Sequence, residues 1–366
     1  RKKEVLNLKV NLGNVCKKET SNLAQKDLEN RSGEYPVYGA SGYITKVDFY
    51  QQKKPYIAVV KDGAGIGRIM KLPGKSSILA TLQYIIPNEN IDITYLAYVM
   101  EHMNLAKYYT GATIPHIYFK DYQKEEFDLP ILDEQRKIAE VLDKVSNLIA
   151  KRRQQLDKLD LLVKARFVEM FGDVSVNDKD WDTQPLGKLC TIVRGGSPRP
   201  IEKFLGGNIP WIKIGDATEN EDIYLHSTKE HIIQEGIAKS RLVSAGSLIF
   251  ANCGVSLGFA RIITFDGCIH DGWLALENIN PCLDKIFLLH VLNQMTDHFR
   301  KIAPAGTQPN LNTGIMKSYL QIIPPMQLQK DFVIFVEKIG DLKSKVQKSL
   351  NQLETLKKAL MQEYFG

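Results

Sequence analysis

Three closely spaced glycines follow an apolar run in the first third of the sequence, in the segment Asp62-Gly63-Ala64-Gly65-Ile66-Gly67. Glycines let a backbone approach a phosphate closely, so such a segment could hold a nucleotide or S-adenosylmethionine. The spacing matches neither GxGxxG nor a Walker loop. A second, similar segment keeps only the outer glycines, Gly254 and Gly258, with Ser256 in place of Gly65. We therefore expect a repeated tight turn and no cofactor site in this chain.

The other residue types with catalytic potential are scattered. An amino-methyltransferase would need Asp or Asn followed by Pro-Pro and an aromatic residue, whereas the single Pro-Pro lies in Ile323-Pro324-Pro325-Met326. The seven histidines form no HExxH or similarly spaced cluster. The sequence thus predicts no metal site, no catalytic residue and no enzymatic activity of its own.

The cysteines and the charge set limits on the class of protein. Cys16, Cys190, Cys253, Cys268 and Cys282 include no CxxC pair, so we expect reduced packing residues, with neither a disulfide framework nor a zinc knuckle. A net charge of +6 is compatible with a polyanionic partner. Because the chain has neither an apolar run of roughly 18 residues nor an apolar signal core, we expect a cytoplasmic protein.

The chain contains an internal repeat. A shift of 194 residues aligns Leu129-Pro130 with Ile323-Pro324 and then continues to the C-terminus without a gap, with Gln135 matching Gln329. Upstream, Leu12-Gly13 resembles Leu186-Gly187 at a shift of 174 residues. The difference between the shifts indicates that the second copy has about twenty extra residues in its loops.

Each copy ends in a long segment with one apolar stripe at helical spacing. Neither proline nor glycine interrupts Ile131 to Phe171, which predicts a helix about 60 Å long at 1.5 Å per residue. The stripe comprises Ile138, Val141, Leu142, Val145, Leu148, Ile149, Leu156, Leu159 and Leu162 in the first copy, and Phe332, Phe335, Val336, Ile339, Leu342, Val346, Leu350, Leu353, Leu356 and Leu360 in the second. We expect the two helices to pair antiparallel; the alternative is that each stripe packs on its own globular domain.

Short β-prone runs, glycine turns and one helical stretch fill each region before a long helix. The predicted strands are 56–60, 66–70, 191–193, 211–214, 247–251 and 259–264, and the predicted helices are 94–108 and 286–299. The fold class is thus two α/β (α+β) domains in tandem, separated and joined by two long helices that form an antiparallel coiled coil with pseudo-two-fold repetition. The boundaries are residues 1-130 for the first domain, 131-172 for the central helix, 173-323 for the second domain and 324-366 for the C-terminal helix.

Several segments also carry a family resemblance. They are Tyr35 to Ala40, Gly111 to Ile117, Leu129 to Gln135, Gly195 to Pro198 and Gly206 to Asp216. At these residues the chain resembles the DNA specificity subunits of type I restriction-modification systems, over essentially its whole length. The resemblance begins almost at once with Leu12-Gly13, so a segment that precedes the first domain in the family is expected to be absent or shortened here.

The resemblance implies a division of labour. Each globular copy would be a target recognition domain for one half of a bipartite DNA site, and the paired helices would set the unread spacer. The chain would bind double-stranded DNA, two methyltransferase subunits and two restriction subunits in a bacterial or archaeal cytoplasm. S-adenosylmethionine, ATP and Mg would serve those partner subunits, and the chain itself would hold no cofactor.

Reading DNA needs loops with polar or basic side chains that reach base edges and phosphates. In the first domain the predicted DNA-binding residues are Tyr38, Ser41, Tyr43, Lys61, Arg68, Thr113 and His116. In the second they are Arg194, Ser197, Arg199, Lys213, Asn252, Ser256, Arg261, Thr307, Gln308 and Asn310. Which bases are read, and how long the spacer is, depends on loop geometry and DNA shape.

Two other classes of function remain open at this stage. The chain could be a non-catalytic scaffold in which the helices mediate assembly and the domains bind protein or carbohydrate. It could also be a fused DNA methyltransferase. DNA affinity that falls with salt separates the first alternative from a DNA reader, and S-adenosylmethionine binding by the isolated chain would support the second.

Overall fold

The computed structural model describes residues 8–111, 115–218, 223–254, 256–304 and 310–366. The chain divides into two compact units. The first unit consists of Arg1–Gln154 and Val346–Gly366, and the second of Gln155–Lys345. Each unit therefore holds one globular copy of the repeat together with part of each long helix.

The described elements of the first copy are short strands and helices that lead into one long helix. In chain order they are β1 (Leu8–Asn11), α1 (Leu12–Val15), β2 (Cys16–Thr20), β3 (Tyr35–Gly39), β4 (Gly42–Val47), β5 (Tyr56–Val60), β6 (Ile69–Leu72), β7 (Ser77–Ile78), β8 (Leu82–Pro87), α2 (Ile93–His102), α3 (Phe119–Tyr122), β9 (Glu126–Leu129) and α4 (Leu132–Phe171).

Two small sheets and one strand pair organise this copy. The strand orders are β2-β8-β5-β6, with antiparallel neighbours, and β4-β3-β7, in which β3 and β7 are parallel. The first strand pairs antiparallel with the last, with Leu8 opposite Leu129 and Asn11 opposite Glu126. The chain thus enters and leaves the domain at one place, directly before α4 begins.

The second copy repeats this order of elements with additions. It comprises β10 (Thr183–Pro185), α5 (Leu186–Leu189), β11 (Thr191–Arg194), β12 (Leu205–Ile212), β13 (Tyr224–Leu225), β14 (Glu230–Ile232), β15 (Arg241–Val243), β16 (Leu248–Ala251), β17 (Ala260–Ile263), β18 (Gly267–Ile269), β19 (Trp273–Glu277), α6 (Lys285–Gln294), α7 (Thr296–Ile302), α8 (Thr313–Ser318), β20 (Leu320–Ile322) and α9 (Met326–Phe365).

Every strand in the two sheets of the first copy has a counterpart in the sheets of the second. Their orders are β11-β19-β16-β17-β13 and β14-β12-β18-β15, and β10 pairs with β20 as β1 does with β9. The strands without a counterpart, β13 and β15, each lie at a sheet edge. The extra residues that the sequence predicts for the second copy have therefore extended its sheets.

The central strand of each copy is buried on both faces. Ile57 and Val59 of β5 pack in the cluster that includes α2, whereas Tyr56, Ala58 and Val60 pack in the cluster that includes β3, β4 and β7. Successive side chains of a strand point to opposite faces, so a strand covered on both sides needs a continuous apolar run. This explains the unbroken apolar sequence of β5, and the same holds for β16 in the second copy.

The two long helices are antiparallel. In the first unit, Ile138 and Leu142 of α4 share a core with Met361, near the end of α9. In the second unit the other ends meet, with the rings of Phe167 and Phe332 at a centroid distance of 5.4 Å. The pairing of helices predicted from the stripe is confirmed. Because these residues belong to the domain cores as well, packing on the globular domain also occurs.

Part of the predicted stripe is not buried. Leu148 and its repeat equivalent Leu342 are 45% and 47% exposed, and Leu162 and its equivalent Leu356 are 46% and 45% exposed. The buried face of α4 instead follows Ile138, Leu142, Val145 and Ile149, at spacings of three and four. Pairing of the helices therefore covers only part of the stripe, because a single apolar stripe is wider than the contact between two helices.

Several predicted element boundaries were also wrong. The predicted helix 94–108 ends at His102, because Asn104 adopts a left-handed conformation with φ of 50°. The predicted helix 286–299 is two helices, α6 and α7, separated at Met295. Strand 66–70 begins only at Ile69, after the glycine turn, and strand 211–214 ends at Ile212. Apolar patterning marks the elements, but local backbone turns decide their ends.

A largely enclosed histidine of α6, His290, predicts acid sensitivity of the second unit. His290 lies edge-on to Phe332 at 5.1 Å, and burial lowers its pKa from 6.5 to about 4. The unfolded chain binds this proton more readily, so the contribution to stability is complete above pH 6.5 and is lost as pH falls toward 4. We expect a loss of about 3 kcal/mol in the free energy of unfolding.

Urea unfolding of the second unit at pH 7 and pH 4.5, followed by hydrogen exchange in α6, measures this loss. His290→Leu removes the titrating group and should flatten the pH dependence over that interval. A variant that keeps the full pH dependence of the wild type would assign the acid sensitivity to other groups.

Candidate nucleic-acid interface

Three loops of the first unit are joined to one another. They are the tip of the β3–β4 hairpin (38–43), the glycine loop between β5 and β6 (61–68) and the segment 115–118. Arg68 donates a hydrogen bond to the carbonyl of Ala40 at 2.7 Å, which ties the hairpin to the glycine loop. Backbone hydrogen bonds from Gly63 to Pro115 and from Ile117 to Lys61 tie the glycine loop to the third segment. We call these three segments the first loop cluster.

The predicted DNA-binding residues of the first domain that the structure describes all lie in this cluster. Tyr38 and Tyr43 form an edge-to-face ring pair at 6.2 Å, and Tyr43 is 61% exposed. Ser41 is exposed in the hairpin turn, and Arg68 is exposed beside it. The remaining prediction, Thr113, lies outside the described residues.

An ionisable pair occupies the centre of the first loop cluster. Nδ1 of His116 is in contact with the Asp62 carboxylate, whose second oxygen lies 3.7 Å from Nζ of Lys61. The His116 ring also packs against Tyr118 at 4.1 Å, and Tyr118 is 47% exposed. Of these residues, Lys61 and His116 were predicted from the sequence as DNA-binding residues, whereas Asp62 and Tyr118 were not.

The second unit has a corresponding group of loops. It consists of 194–199, which follows β11, of 252–254 and 256–258, which form the glycine loop after β16, and of the turn 270–272 between β18 and β19. Gly195 and Gly196 donate backbone hydrogen bonds to Trp273 and Ile269, so the first loop lies directly against the turn. We call this group the second loop cluster.

Asp271 is the centre of the second loop cluster. Its Oδ1 accepts hydrogen bonds from Ser197 Oγ at 2.7 Å and lies 2.9 Å from His270 Nε2. Its Oδ2 lies 3.9 Å from the Arg199 guanidinium, and its backbone carbonyl accepts a hydrogen bond from Arg194 Nε at 2.9 Å. The predicted residues Arg194, Ser197 and Arg199 thus converge on one residue: Ser197 and Arg199 on its carboxylate and Arg194 on its backbone carbonyl.

The environment keeps Asp271 charged and His270 neutral near pH 7. Burial opposes ionisation of Asp271, but the hydrogen bond from Ser197 and the nearby His270, Arg194 and Arg199 side chains outweigh it and lower the carboxyl pKa. Burial lowers the pKa of His270, and the Asp271 charge only partly opposes this. The cluster therefore presents hydrogen-bond donors around a fixed negative charge.

The order of contacts in this cluster does not suit nucleophilic catalysis. A catalytic serine needs a histidine to accept its proton and an acid behind that histidine. Here Asp271 lies between Ser197 and His270, and His270 Nδ1 accepts the backbone N–H of Gly272 at 2.9 Å. The serine hydroxyl is bonded to a carboxylate that holds it in place, which favours a positioning role for the whole group.

Lys213 directly follows β12, at the position that corresponds to the hairpin tip of the first copy. Its ammonium contacts the Glu230 carboxylate and lies 5.6 Å from the Trp211 ring centroid. The Trp211 ring lies 5.6 Å from that of His270, which connects Lys213 to the second loop cluster. Its side chain is 37% exposed.

The other predicted residues of the second domain differ in their exposure to solvent. Asn252 is completely buried and donates to Asn310 Oδ1 and the Leu311 carbonyl, both at 3.2 Å. It therefore supports the loop from inside and is not presented to a ligand. Ser256 and Asn310 are partly exposed, and Arg261 on β17 packs over the Phe259 ring at 4.6 Å. Thr307 and Gln308 lie outside the described residues.

The two loop clusters share one backbone framework. The residue that follows the central strand donates its N–H to the turn before the neighbouring strand, from Lys61 to Thr81 in the first copy and from Asn252 to Gly272 in the second, at 3.0 and 2.9 Å. Both glycine loops therefore stand at the same place in the fold. This equivalence explains the outer glycines that the two segments share.

Residue type and spacing did not single out Asp62, His270 and Asp271. Asp62 and Asp271 act through partners that are far away in the sequence, as Asp271 does with Ser197, 74 residues earlier, and His270 contacts its neighbour Asp271. One signal was available: Arg194 and Arg199 stand close together in a glycine-rich loop, and such a pair needs an acidic partner.

Three further properties of the described residues bear on chemistry. They contain no group of three or more His, Cys, Asp or Glu side chains arranged to hold a metal ion. Their helices include none that is long and apolar enough to cross a membrane. The five cysteines are free thiols, with Cys16, Cys190 and Cys268 buried as packing residues.

Comparison with known proteins identifies the family. The profile of the type I restriction modification DNA specificity domain matches residues 7–160 and 178–355, one match for each copy of the repeat. The chain is 23% identical to a putative type I restriction enzyme specificity subunit, MjaX, of Methanocaldococcus jannaschii, over 81% of this chain and 73% of that protein. It is 22% identical to a putative type I specificity subunit of Haemophilus influenzae, over 87% and 83% of the two chains.

Solved structures show the same fold. The S subunit of a type I restriction-modification system from M. genitalium superposes with a TM-score of 0.60 at 15% identity, covering 100% of this chain and 97% of the other. A chain from a structural study of assembly and conformational transition of the type I system superposes with a TM-score of 0.57 at 17% identity, covering 98% and 97%. With both copies matched by the family profile, the chain belongs to the type I restriction-modification DNA specificity family.

Proposed function

We propose that this chain reads a bipartite DNA sequence, with one half-site for each globular domain, and that it catalyses no reaction itself. The observation that carries the proposal is the shared framework of the two loop clusters with unlike side chains on it. Where the first copy joins its loops through Asp62 and His116, the second uses Cys253 and Asn310 at the same backbone bridge. An ionisable pair of side chains in the first copy is thus replaced by an uncharged pair in the second. Two domains that read different half-sites need such differences in side-chain chemistry.

The loop clusters carry the groups that DNA binding needs. The first exposes Tyr43, Tyr118 and Arg68 beside a partly buried histidine, and the second exposes Arg194 and Arg199 beside Ser197. Guanidinium, hydroxyl and amide groups donate to phosphates and base edges, and tyrosine offers an apolar face to bases. Loops on a packed sheet framework are well suited to hold such groups in place.

The helices supply a surface that suits two identical partner subunits. Two exposed leucines of α4 have exposed leucine equivalents on α9, Leu148 with Leu342 and Leu162 with Leu356, so the two copies share these apolar positions. Exposed apolar side chains preserved in both copies favour contact with another protein. We propose that one methyltransferase subunit docks on each copy and that two restriction subunits join that complex. S-adenosylmethionine, ATP and Mg²⁺ would then be bound by these partners in the cytoplasm of a bacterial or archaeal cell.

The DNA affinity of the reconstituted methyltransferase complex against salt tests the proposal. We expect log affinity to fall linearly with log salt, with a loss of roughly 10³-fold or more between 50 and 200 mM if at least six phosphates are contacted. A duplex with both half-sites scrambled is the control and should keep only the weak, non-specific binding. Affinity that does not change with salt would favour a scaffold that binds protein or carbohydrate.

The spacer role of the helices predicts a second result. Seven residues inserted between Gln154 and Gln155, and seven between Lys345 and Val346, lengthen both helices by about 10 Å, or three base pairs of DNA. We expect methylation mapping to find an unread spacer that is longer by about three base pairs, with both half-site sequences unchanged. Affinity should fall as well, since three base pairs turn a half-site by about 100° around the DNA axis. A changed half-site sequence would contradict the separation of reading and spacing.

A further inference from the structure

The charged group around Asp271 is not required by the fold. The first copy has the equivalent turn at Leu79 to Thr81, between β7 and β8, and holds it with backbone hydrogen bonds from Lys61 and to Leu23. That turn carries no charged side chain. The same framework therefore folds without an aspartate there, and a buried or half-buried charge is a cost that folding alone does not explain.

Arg199 is the most available basic group beside this turn. Its side chain is 79% exposed, and among the residues that the structure describes its guanidinium approaches only Asp271, at 3.9 Å. By contrast, Arg194 is bonded through Nε to the Asp271 carbonyl, and Lys213 contacts Glu230. The planar fork of Arg199 thus remains open to a ligand on its outer side.

The loop that carries Arg199 is held in place by hydrogen bonds from three consecutive residues that precede it in the chain. Gly195 and Gly196 donate to Trp273 and Ile269 at 2.9 and 3.0 Å, and Ser197 Oγ lies 2.7 Å from Asp271. The arginine therefore extends from a restrained backbone next to a fixed carboxylate. A long side chain that is already oriented loses less conformational freedom when it binds.

The neighbouring carboxylate favours base reading over phosphate binding. Asp271 offsets much of the positive charge of Arg199 and would repel a nearby phosphate, but it leaves the directional N–H donors of the guanidinium in place. Guanine presents two acceptors, O6 and N7, at a spacing that matches this fork, and no other base presents that pair in the major groove.

We propose that Arg199 reads a guanine in the half-site recognised by the second domain, and that Asp271 is the positioning residue that orients it. This inference rests on the proposed function and deepens it. It assigns the second half-site a G·C pair at one position, read in the major groove. The first loop cluster has no arginine beside an equivalent carboxylate, so the assignment concerns the second half-site alone.

The test uses the reconstituted methyltransferase complex with the full chain, after methylation mapping has given the target. Binding and methylation are measured on duplexes in which each base pair of the second half-site is changed in turn. The wild type should discriminate against replacement of one G·C pair by roughly 10- to 100-fold. Arg199→Ala should reduce that discrimination to about threefold or less, with discrimination in the first half-site unchanged.

Asp271→Asn tests the positioning role, because it keeps the shape and can still bond Ser197 but removes the charge. We expect the same position to lose much of its discrimination while the midpoint of thermal unfolding stays close to that of the wild type. Arg136→Ala is the matched control: this arginine on α4 is also exposed, at 61%, and should leave all discrimination intact.

The outcomes separate this inference from the function on which it rests. If Arg199→Ala weakens binding to every sequence equally and lowers the salt slope by about one, Arg199 contacts a phosphate and the guanine assignment is wrong. If Asp271→Asn keeps full discrimination, the positioning role is wrong. If the wild-type complex shows neither sequence preference nor salt dependence, the proposed function itself fails.

Discussion

Replacement of Gln135 by methionine is expected to lower the free energy of unfolding of the first unit by about 4 kcal/mol, because it leaves buried polar groups without partners. Gln135 is 1% exposed in the first turn of α4. Its Oε1 accepts the N–H of Asp92 at 2.8 Å, and its Nε2 donates to the carbonyls of Pro130 and Asn90 at 2.9 and 3.3 Å. It thereby joins the start of α4 to the residue that caps α2.

The second copy repeats this arrangement, so the corresponding substitution there should destabilise the second unit separately. Gln329 is fully buried, accepts the N–H of Asp284 at 2.8 Å and donates to Pro324 and Cys282 at 2.8 and 2.9 Å. Gln329→Met should destabilise the second unit by a similar amount, about 4 kcal/mol.

Urea unfolding combined with hydrogen exchange locates each loss, in α2 for the first variant and in α6 for the second. Gln154→Met is the matched control, since Gln154 is exposed on α4, and it should change stability by less than about 0.5 kcal/mol. A loss below about 1 kcal/mol for either buried glutamine would show that water or another group replaces its hydrogen bonds.

Replacement of Gly195 by alanine is expected to abolish specific reading by the second domain. A Cβ at this position would overlap the carbonyl oxygen of His270 and lie 2.6 Å from that of Ile269. The loop 194–199 must then move away from the turn, which breaks the backbone bonds of Gly195 and Gly196 and separates Ser197 from Asp271. With several contacts of about 1 to 3 kcal/mol lost together, affinity for the cognate site should fall roughly 100-fold or more.

Competition binding by the reconstituted complex measures this loss, with cognate duplex against duplex altered in one half-site. Discrimination in the first half-site should persist, because the change lies in the second unit. Gly215→Ala is the matched control: its added methyl group would meet open space, so binding should stay within about twofold of the wild type. Equal loss of discrimination in both half-sites would mean that the variant disturbs assembly and not reading.

The fold could be predicted to the level of its repeat and its elements. The long helices follow from uninterrupted apolar periodicity, since helical spacing of apolar residues is a local property of the chain. The end of α4 follows in the same way from Gly172, which adopts a φ of 77° that other residues rarely accept. Leu148 and Leu342 belong to the stripe but stay exposed. The contact between two distant segments selects the apolar residues that face the partner helix, and local spacing does not reveal it.

The candidate site could be predicted only as a set of loops. Arg194, Ser197 and Arg199 were chosen as polar or basic residues near glycine turns, and the structure places all three around Asp271. Asn252 was chosen on the same grounds, yet it is buried, because residue type does not reveal which side of a loop faces solvent. Asp271 itself was missed, because its partners come from another strand of the sheet.

The duplication, the two domains of one fold and the two long helices could all be inferred from the amino-acid sequence, which holds no motif for catalysis or metal binding. These properties arise from local patterns repeated at a constant shift, which need no knowledge of contacts. The pairs of side chains that contact one another, such as Asp62 with His116 and Asp271 with Arg199, became clear from the folded structure. A functional site of this kind is made by backbone bonds between segments that lie far apart in the chain, and their geometry follows from the packed sheets and not from any single segment.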